Sequence, residues 1–141
     1  MRTTNAQAVW KGNLKEGTGK YHLPSSGFEG SYTFLTRFGD GKGSNPEELI
    51  GAAHAACFSM AFSNIMAGKG YNPLEVNTTA TVVMETGDKG AAIASVHLET
   101  KARVEGIDSD TFQHLAEDAK KNCPVSKALS AVRITLNAQL V

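Results

Sequence analysis

The sequence predicts an α+β fold, and three observations carry that prediction. Segments of strand composition come in runs, instead of alternating singly with helices as in a doubly wound parallel sheet. From Leu49 to Gly68 there are 20 consecutive residues without Asp, Glu, Lys or Arg, six of them Ala. A helix apolar on nearly all sides is expected to be the buried centre of a domain. The chain's 141 residues, 41% of them hydrophobic, suffice for one core, so residues 1–141 are expected to form a single domain of antiparallel sheets around a long helix.

The elements follow in order. Gln7 to Trp10 and Lys20 to Leu23 read as short strands separated by the Gly-bearing stretch from Gly12 to Gly19. Ser31 to Phe38 has strong strand composition and ends at the Gly-rich run from Gly39 to Gly43. Asn45 is then a good N-cap, Pro46 suits the first helical position, and Glu48 falls where a capping box places its acid. Glu47 and Glu48 also complement the helix dipole. This helix should run to about Ala67, with Gly68 and Gly70 as stop signals. Glu75 to Glu85 and Ile93 to Val104 are the arms of a hairpin turning at Gly87-Asp88-Lys89-Gly90. Asp108 and Asp110 cap a helix with Phe112, Leu115, Ala116 and Ala119 on its apolar stripe. Cys123-Pro124 breaks it and opens a short helix through Leu129, and Arg133 to Leu140 alternates as a closing strand.

Composition excludes several classes. Lys plus Arg and Asp plus Glu both number 14, so the chain lacks the basic surplus that nucleic acid or an anionic membrane demands. The charge-free stretch has a membrane helix's length, but polar His54, Ser59, Ser63 and Asn64 interrupt it and no basic cluster flanks it. Two cysteines are too few for a disulfide scaffold, and Met1 to Gln7 has no signal-peptide core, so a cytoplasmic location is expected. Gly39 to Gly43 lacks the Lys-Ser/Thr of a phosphate loop.

Four residues could carry chemistry. Cys57 lies mid-helix, where a lone cysteine is either a small core residue or a thiol held for reaction. Cys123 precedes Pro124 at a helix start, where free N–H groups favour a thiolate, although Cys-Pro can equally be only a turn. Arg37, at the end of an aromatic strand, is either a solvated charge or a cation packed among Phe34 and Phe38 that needs an anion. His54, one turn before Cys57, is either a hydrogen-bonded interior histidine, a general base, or a zinc ligand with Cys57 and Cys123. Met60, Met66, Phe58 and Phe62 have the spacing of core residues.

The run Asn45-Pro46-Glu47-Glu48-Leu49-Ile50-Gly51-Ala52-Ala53-His54-Ala55-Ala56-Cys57-Phe58-Ser59-Met60, with Cys123-Pro124-Val125-Ser126 following 66 residues after Cys57, resembles the OsmC/Ohr family. These are the osmotically inducible protein C and organic hydroperoxide resistance proteins of bacteria. The Ala-His-Ala-Ala-Cys and Cys-Pro-Val-Ser wording is that of the OsmC branch. The resemblance implies an OsmC-like fold in an intertwined homodimer with two sites at the subunit interface. It implies a thiol-dependent peroxidase reducing organic hydroperoxides to alcohols in oxidative or osmotic stress, with no cofactor or metal and with a dithiol, lipoyl-type in the Ohr branch, as reductant. By motif position Cys57 is the peroxidatic thiol, Cys123 the resolving thiol, and Arg37 and Glu47 the polar pair around the peroxidatic sulfur.

The chemistry accounts for those residue types. Only a thiolate attacks O–O at a useful rate, and burial on an apolar helix raises a thiol's pKa, so a permanent cation such as Arg37 is wanted. Phe58, Met60 and Phe38 would supply apolar surface for an alkyl tail. Glu47 and Cys57 stand ten residues apart on one helix, about 15 Å along its axis and about 80° around it. Glu47 is therefore expected to serve the Cys57 of a second subunit. The competing readings are a metal-binding protein using His54, Cys57 and Cys123, and a non-catalytic stress or ligand-binding protein.

Overall fold

A computed structural model describes all residues, 1–141. Its element order is β1 (Gln7–Lys11), β2 (Thr18–Leu23), β3 (Phe28–Tyr32), α1 (Phe34–Phe38), α2 (Pro46–Gly68), β4 (Asn72–Gly87), β5 (Gly90–Glu105), α3 (Ser109–Asn122), α4 (Pro124–Ala128) and β6 (Arg133–Leu140). The chain divides into two compact units, Met1–Leu49 and Ile50–Val141.

In the first unit β1, β2 and β3 form an antiparallel meander in the order β1-β2-β3. Aromatic rings lie across it: Trp10 and Tyr32 have centroids 5.4 Å apart, and Tyr21 and Phe28 6.1 Å. Gly30 is required in β3 because a Cβ there would run into the Tyr21 ring. The strand expected over Ser31 to Phe38 is not formed: β3 stops at Tyr32 and Phe34–Phe38 is helical. The cause is a capping box that strand composition hides. Thr33 Oγ1 accepts from the Thr36 amide at 3.3 Å, and Thr36 Oγ1 accepts from the Thr33 amide at 2.9 Å.

The second unit is built on β4, β5 and β6 in that order. β4 and β5 form the expected hairpin, antiparallel from Asn72↔Glu105 to Gly87↔Gly90. Gly90 takes φ +98°, a conformation glycine supplies without strain. β6, however, pairs with β5 in parallel, from Ser95↔Arg133 to Ala102↔Leu140, so this sheet is mixed where antiparallel pairing was expected. Parallel neighbours need a long crossover, and α3 with α4 is that crossover.

Helix α2 does not bury all its sides. Its buried residues are Glu47, Gly51, His54, Phe58, Phe62 and Met66, one stripe at helical spacing. Ala52, Ala53, Ala56 and Met60 are exposed within the chain, Met60 at 75%, against the expectation that Met60 is core. The helix is long and apolar enough to cross a bilayer by length and composition. Its buried stripe nevertheless joins a core with Val96 and Leu98 of β5 and with Phe112, Leu115, Ala116 and Ala119 of α3. Phe62 lies at the centre, 5.6 Å from Phe58 and 5.2 Å from Phe112 between ring centroids. Gly51 lets α2 approach β4: a Cβ there would stand 3.3 Å from Val82 Cγ2.

Candidate active site

Arg37 and Glu47 meet within the first unit, and Asn45 brings them together. Its Oδ1 accepts from the Glu48 amide at 2.8 Å, which caps α2 as its sequence predicts. Its Nδ2 donates to the Thr36 carbonyl at 2.9 Å, tying the start of α2 to α1. One residue beyond Thr36, the Arg37 guanidinium donates from Nη2 to Glu47 Oε1 at 2.7 Å and from Nε to Oε1 and Oε2 at 3.1 and 3.3 Å. The Glu47 side chain is 10% exposed and that of Arg37 38%. Arg37 Cζ also lies 5.4 Å from the Phe38 ring centroid, and Phe34 and Phe38 pack at 5.0 Å. Charge-assisted bonds of this kind fix the guanidinium plane, and the Nη1 amine takes no part in the pair.

Cys57 and Cys123 meet within the second unit. α2 presents Cys57 half-buried, and the junction of α3 with α4 presents Cys123 fully buried. The junction exists because Pro124 has no N–H to continue α3. Cys123 closes one helix by donating its amide to the Ala119 carbonyl at 2.9 Å, and opens the next by accepting the Lys127 amide at 3.0 Å. The two thiols are free and lie 2.9 Å apart, Cys123 Sγ donating to Cys57 Sγ.

Burial pushes the Cys57 thiol above its ordinary value, and the Cys123 thiol beside it pushes the same way. The Val125 backbone N–H, which bonds to Cys57, acts in the opposite sense by favouring the thiolate. So one amide at the start of α4, that of Val125, serves Cys57 across the gap, while the Cys123 side chain that precedes the helix makes no cap hydrogen bond.

His54 is fully buried, with Nε2 2.7 Å from Ser126 Oγ; burial holds its pKa below the usual imidazole value. That is the hydrogen-bonded interior histidine, not a ligand. The set His54, Cys57 and Cys123 does not form a metal site, and no group of three or more His, Cys, Asp or Glu side chains does. Phe58 is a core residue in contact with Phe62 and offers nothing to an alkyl tail, contrary to expectation. The sequence motif contains Val125 and Ser126 but gives neither a role. Val125 was detectable, because the first amides of any helix lack intrahelical partners. Ser126 was not, since His54 stands 72 residues away.

A family model described as OsmC-like protein matches residues 39–137. The chain belongs to the OsmC family. This OsmC-family chain is 47% identical over 135 residues to Peroxiredoxin OsmC of Escherichia coli (strain K12), covering 95% of this chain and 94% of that protein. It is 33% identical over 104 residues to Organic hydroperoxide resistance protein-like 1 of Staphylococcus epidermidis, covering 72% and 74%. Among solved structures, the organic hydroperoxide resistance protein OsmC of Legionella pneumophila superposes with a TM-score of 0.72 at 22% identity, covering 99% of both chains. The organic hydroperoxide resistance protein OhrB of Bacillus subtilis gives 0.72 at 20% identity over 97% and 98%. These two likenesses establish the OsmC/Ohr fold.

Proposed function

We propose that this OsmC-family protein is a cysteine-based peroxidase that reduces organic hydroperoxides, and hydrogen peroxide more weakly, to alcohols in defence against oxidative and osmotic stress. The observation that carries the reading is the approach of its two thiols to 2.9 Å from elements 66 residues apart. The relatives named peroxiredoxin and organic hydroperoxide resistance protein support it.

Cys57 attacks a peroxide oxygen as thiolate; the O–O bond breaks, and the alcohol leaves with a proton. Cys57 becomes a sulfenic acid. Cys123 sulfur then attacks the Cys57 sulfur, the S–O bond breaks, and water departs with the Cys123 proton. A dithiol, lipoyl-type being one candidate, restores both thiols by exchange. A transient disulfide of this kind suits a reducing cytoplasm.

Cys57 needs help, since its surroundings within the chain favour the thiol. Arg37 supplies a positive charge and donors for the developing alkoxide, and Glu47 aims it. The spacing of Glu47 and Cys57 along one helix supports a homodimer in which the pair of one subunit serves the thiols of the other, giving two equivalent sites. The Ala- and Met-bearing side of α2, exposed in the single chain, suits burial between subunits. The test is turnover with a dithiol reductant: kcat/KM for an aryl-alkyl hydroperoxide should exceed that for hydrogen peroxide. Absence of turnover with any dithiol would defeat the reading, and stoichiometric zinc in the purified protein would favour the metal-binding alternative.

A further inference from the structure

The bond between His54 and Ser126 lies between the same two segments as the thiol pair. His54 and Cys57 are one turn apart on α2, and Cys123 and Ser126 are one turn apart on α4 and its cap. His54 faces Ser126 at 2.7 Å, and Cys57 faces Cys123 at 2.9 Å. Three residues forward on one segment correspond to three back on the other. The two contacts are thus successive rungs of one antiparallel seam.

The histidine is otherwise unexplained. It is wholly buried, and its Nδ1 has no hydrogen-bond partner. An unpaired buried N–H costs more than an unpaired lone pair, which assigns the proton to Nε2 and makes Ser126 Oγ the acceptor. A leucine would fill the volume without stranding a polar atom. What leucine lacks is the directional bond to Ser126.

Resting on the peroxidase reading above, we propose that His54 and Ser126 are positioning residues for disulfide formation: their bond anchors the Cys123 segment so that its sulfur stays aimed at Cys57. Displacement at sulfur is in line, so the oxygen that a sulfenic acid adds to Cys57 must leave from the side away from Cys123, and the Cys123 sulfur, 2.9 Å away, must stay behind it. Closing from there to a disulfide of about 2.05 Å expels that oxygen as water, with the Cys123 proton. With Ser126 held to α2, any movement of Cys123 is confined to the one helical turn between them, and its effective concentration at Cys57 stays high. Attack on the peroxide itself needs no such anchor.

The experiment follows the two steps separately in the reduced full-length protein, using one equivalent of cumene hydroperoxide. Peroxide consumption reports the first step, and quenched samples report the second by mass, as disulfide, trapped sulfenic acid or sulfinic acid. For Ser126→Ala and His54→Leu, first-step rates should stay within about twofold, while disulfide formation slows about tenfold, the worth of one hydrogen bond, and trapped sulfenic acid accumulates. His54→Gln, whose Nε2 can reach Ser126 as imidazole Nε2 does, should restore the second step. Unchanged disulfide formation in Ser126→Ala, or both steps falling together, would overturn the assignment. So would loss of folding in both disruptive variants, which would make the bond merely structural. If the wild-type protein itself keeps two thiols and an unchanged mass, the peroxidase reading fails instead.

Discussion

One equivalent of cumene hydroperoxide, added to the fully reduced protein, is expected to join Cys57 to Cys123 and to stabilise the fold measurably. The sulfurs are 2.9 Å apart and a disulfide is about 2.05 Å, so closure needs less than about 1 Å of movement as the oxygen leaves. The bond would close a loop between residues separated by 66 positions. Restricting the unfolded chain in that way contributes roughly 4 kcal/mol at most, with about 2–4 kcal/mol usual. At about 2.1 cal/mol/K per residue, unfolding 141 residues carries an entropy of about 0.3 kcal/mol/K. The oxidised protein should therefore melt about 7–13 °C above the reduced one. Intact mass falling by about 2 Da and loss of both titratable thiols identify the bond, and calorimetry with and without reductant reads the stability. A mass unchanged with two thiols remaining refutes the pairing. A covalent dimer on a non-reducing gel would show that the sulfurs pair between chains. A lower melting temperature on oxidation would mean that the bond forms only by distorting the fold.

Cys57→Ser should abolish turnover, whereas Cys123→Ser should reduce about one equivalent of hydroperoxide and stop at a sulfenic or overoxidised state; single-turnover mass spectrometry distinguishes them, and the opposite pattern exchanges the roles. Mixing Cys57→Ser with Glu47→Ala subunits should regenerate one composite site per mixed dimer, so recovery of activity after proven exchange is expected, and none means that both residues act within one chain. Burial and Cys123 already raise the Cys57 thiol, so Arg37→Gln should shift the pH midpoint of its iodoacetamide alkylation further upward. An unmoved midpoint takes Arg37 out of the site. The raised thiol also has a stability sign: its contribution is present below the ordinary thiol value and is lost as pH climbs through the raised one.

Elements coded by local contacts were legible in the sequence. Asn45-Pro46 starts α2, Asp108 caps α3 through the Thr111 amide at 2.9 Å, and Cys123-Pro124 divides α3 from α4, all as their residue types dictate. The stretch from Ser31 to Phe38 misled because β-branched and aromatic residues describe strands in general, whereas two threonine hydroxyls at spacing three decided this segment. The parallel course of β6 was invisible, since alternation fixes a strand's faces and not its direction. At the candidate site the motif singled out the residues, but not their contacts. The Cys57–Cys123 approach and the His54–Ser126 bond join positions 66 and 72 residues apart, and only tertiary packing specifies them.

The parallel pairing of β5 with β6 turns α3 into a ruler. The chain leaves β5 at Glu105 and must re-enter the sheet at Arg133, which pairs with Ser95. The paired stretch from Ser95 to Ala102 is about 23 Å long, and the 14 residues of α3 recover about 21 Å of it before Pro124 interrupts them. Where Cys123 stands opposite Cys57 is thus a matter of how many residues α3 contains. One alanine inserted into α3 would advance Cys123 by about 1.5 Å and turn it by about 100°, taking its sulfur off the seam. One residue added to the turn between β4 and β5 would leave that count untouched. Length added in the hairpin turn leaves the spacing of the thiol pair alone, and length added in α3 changes it.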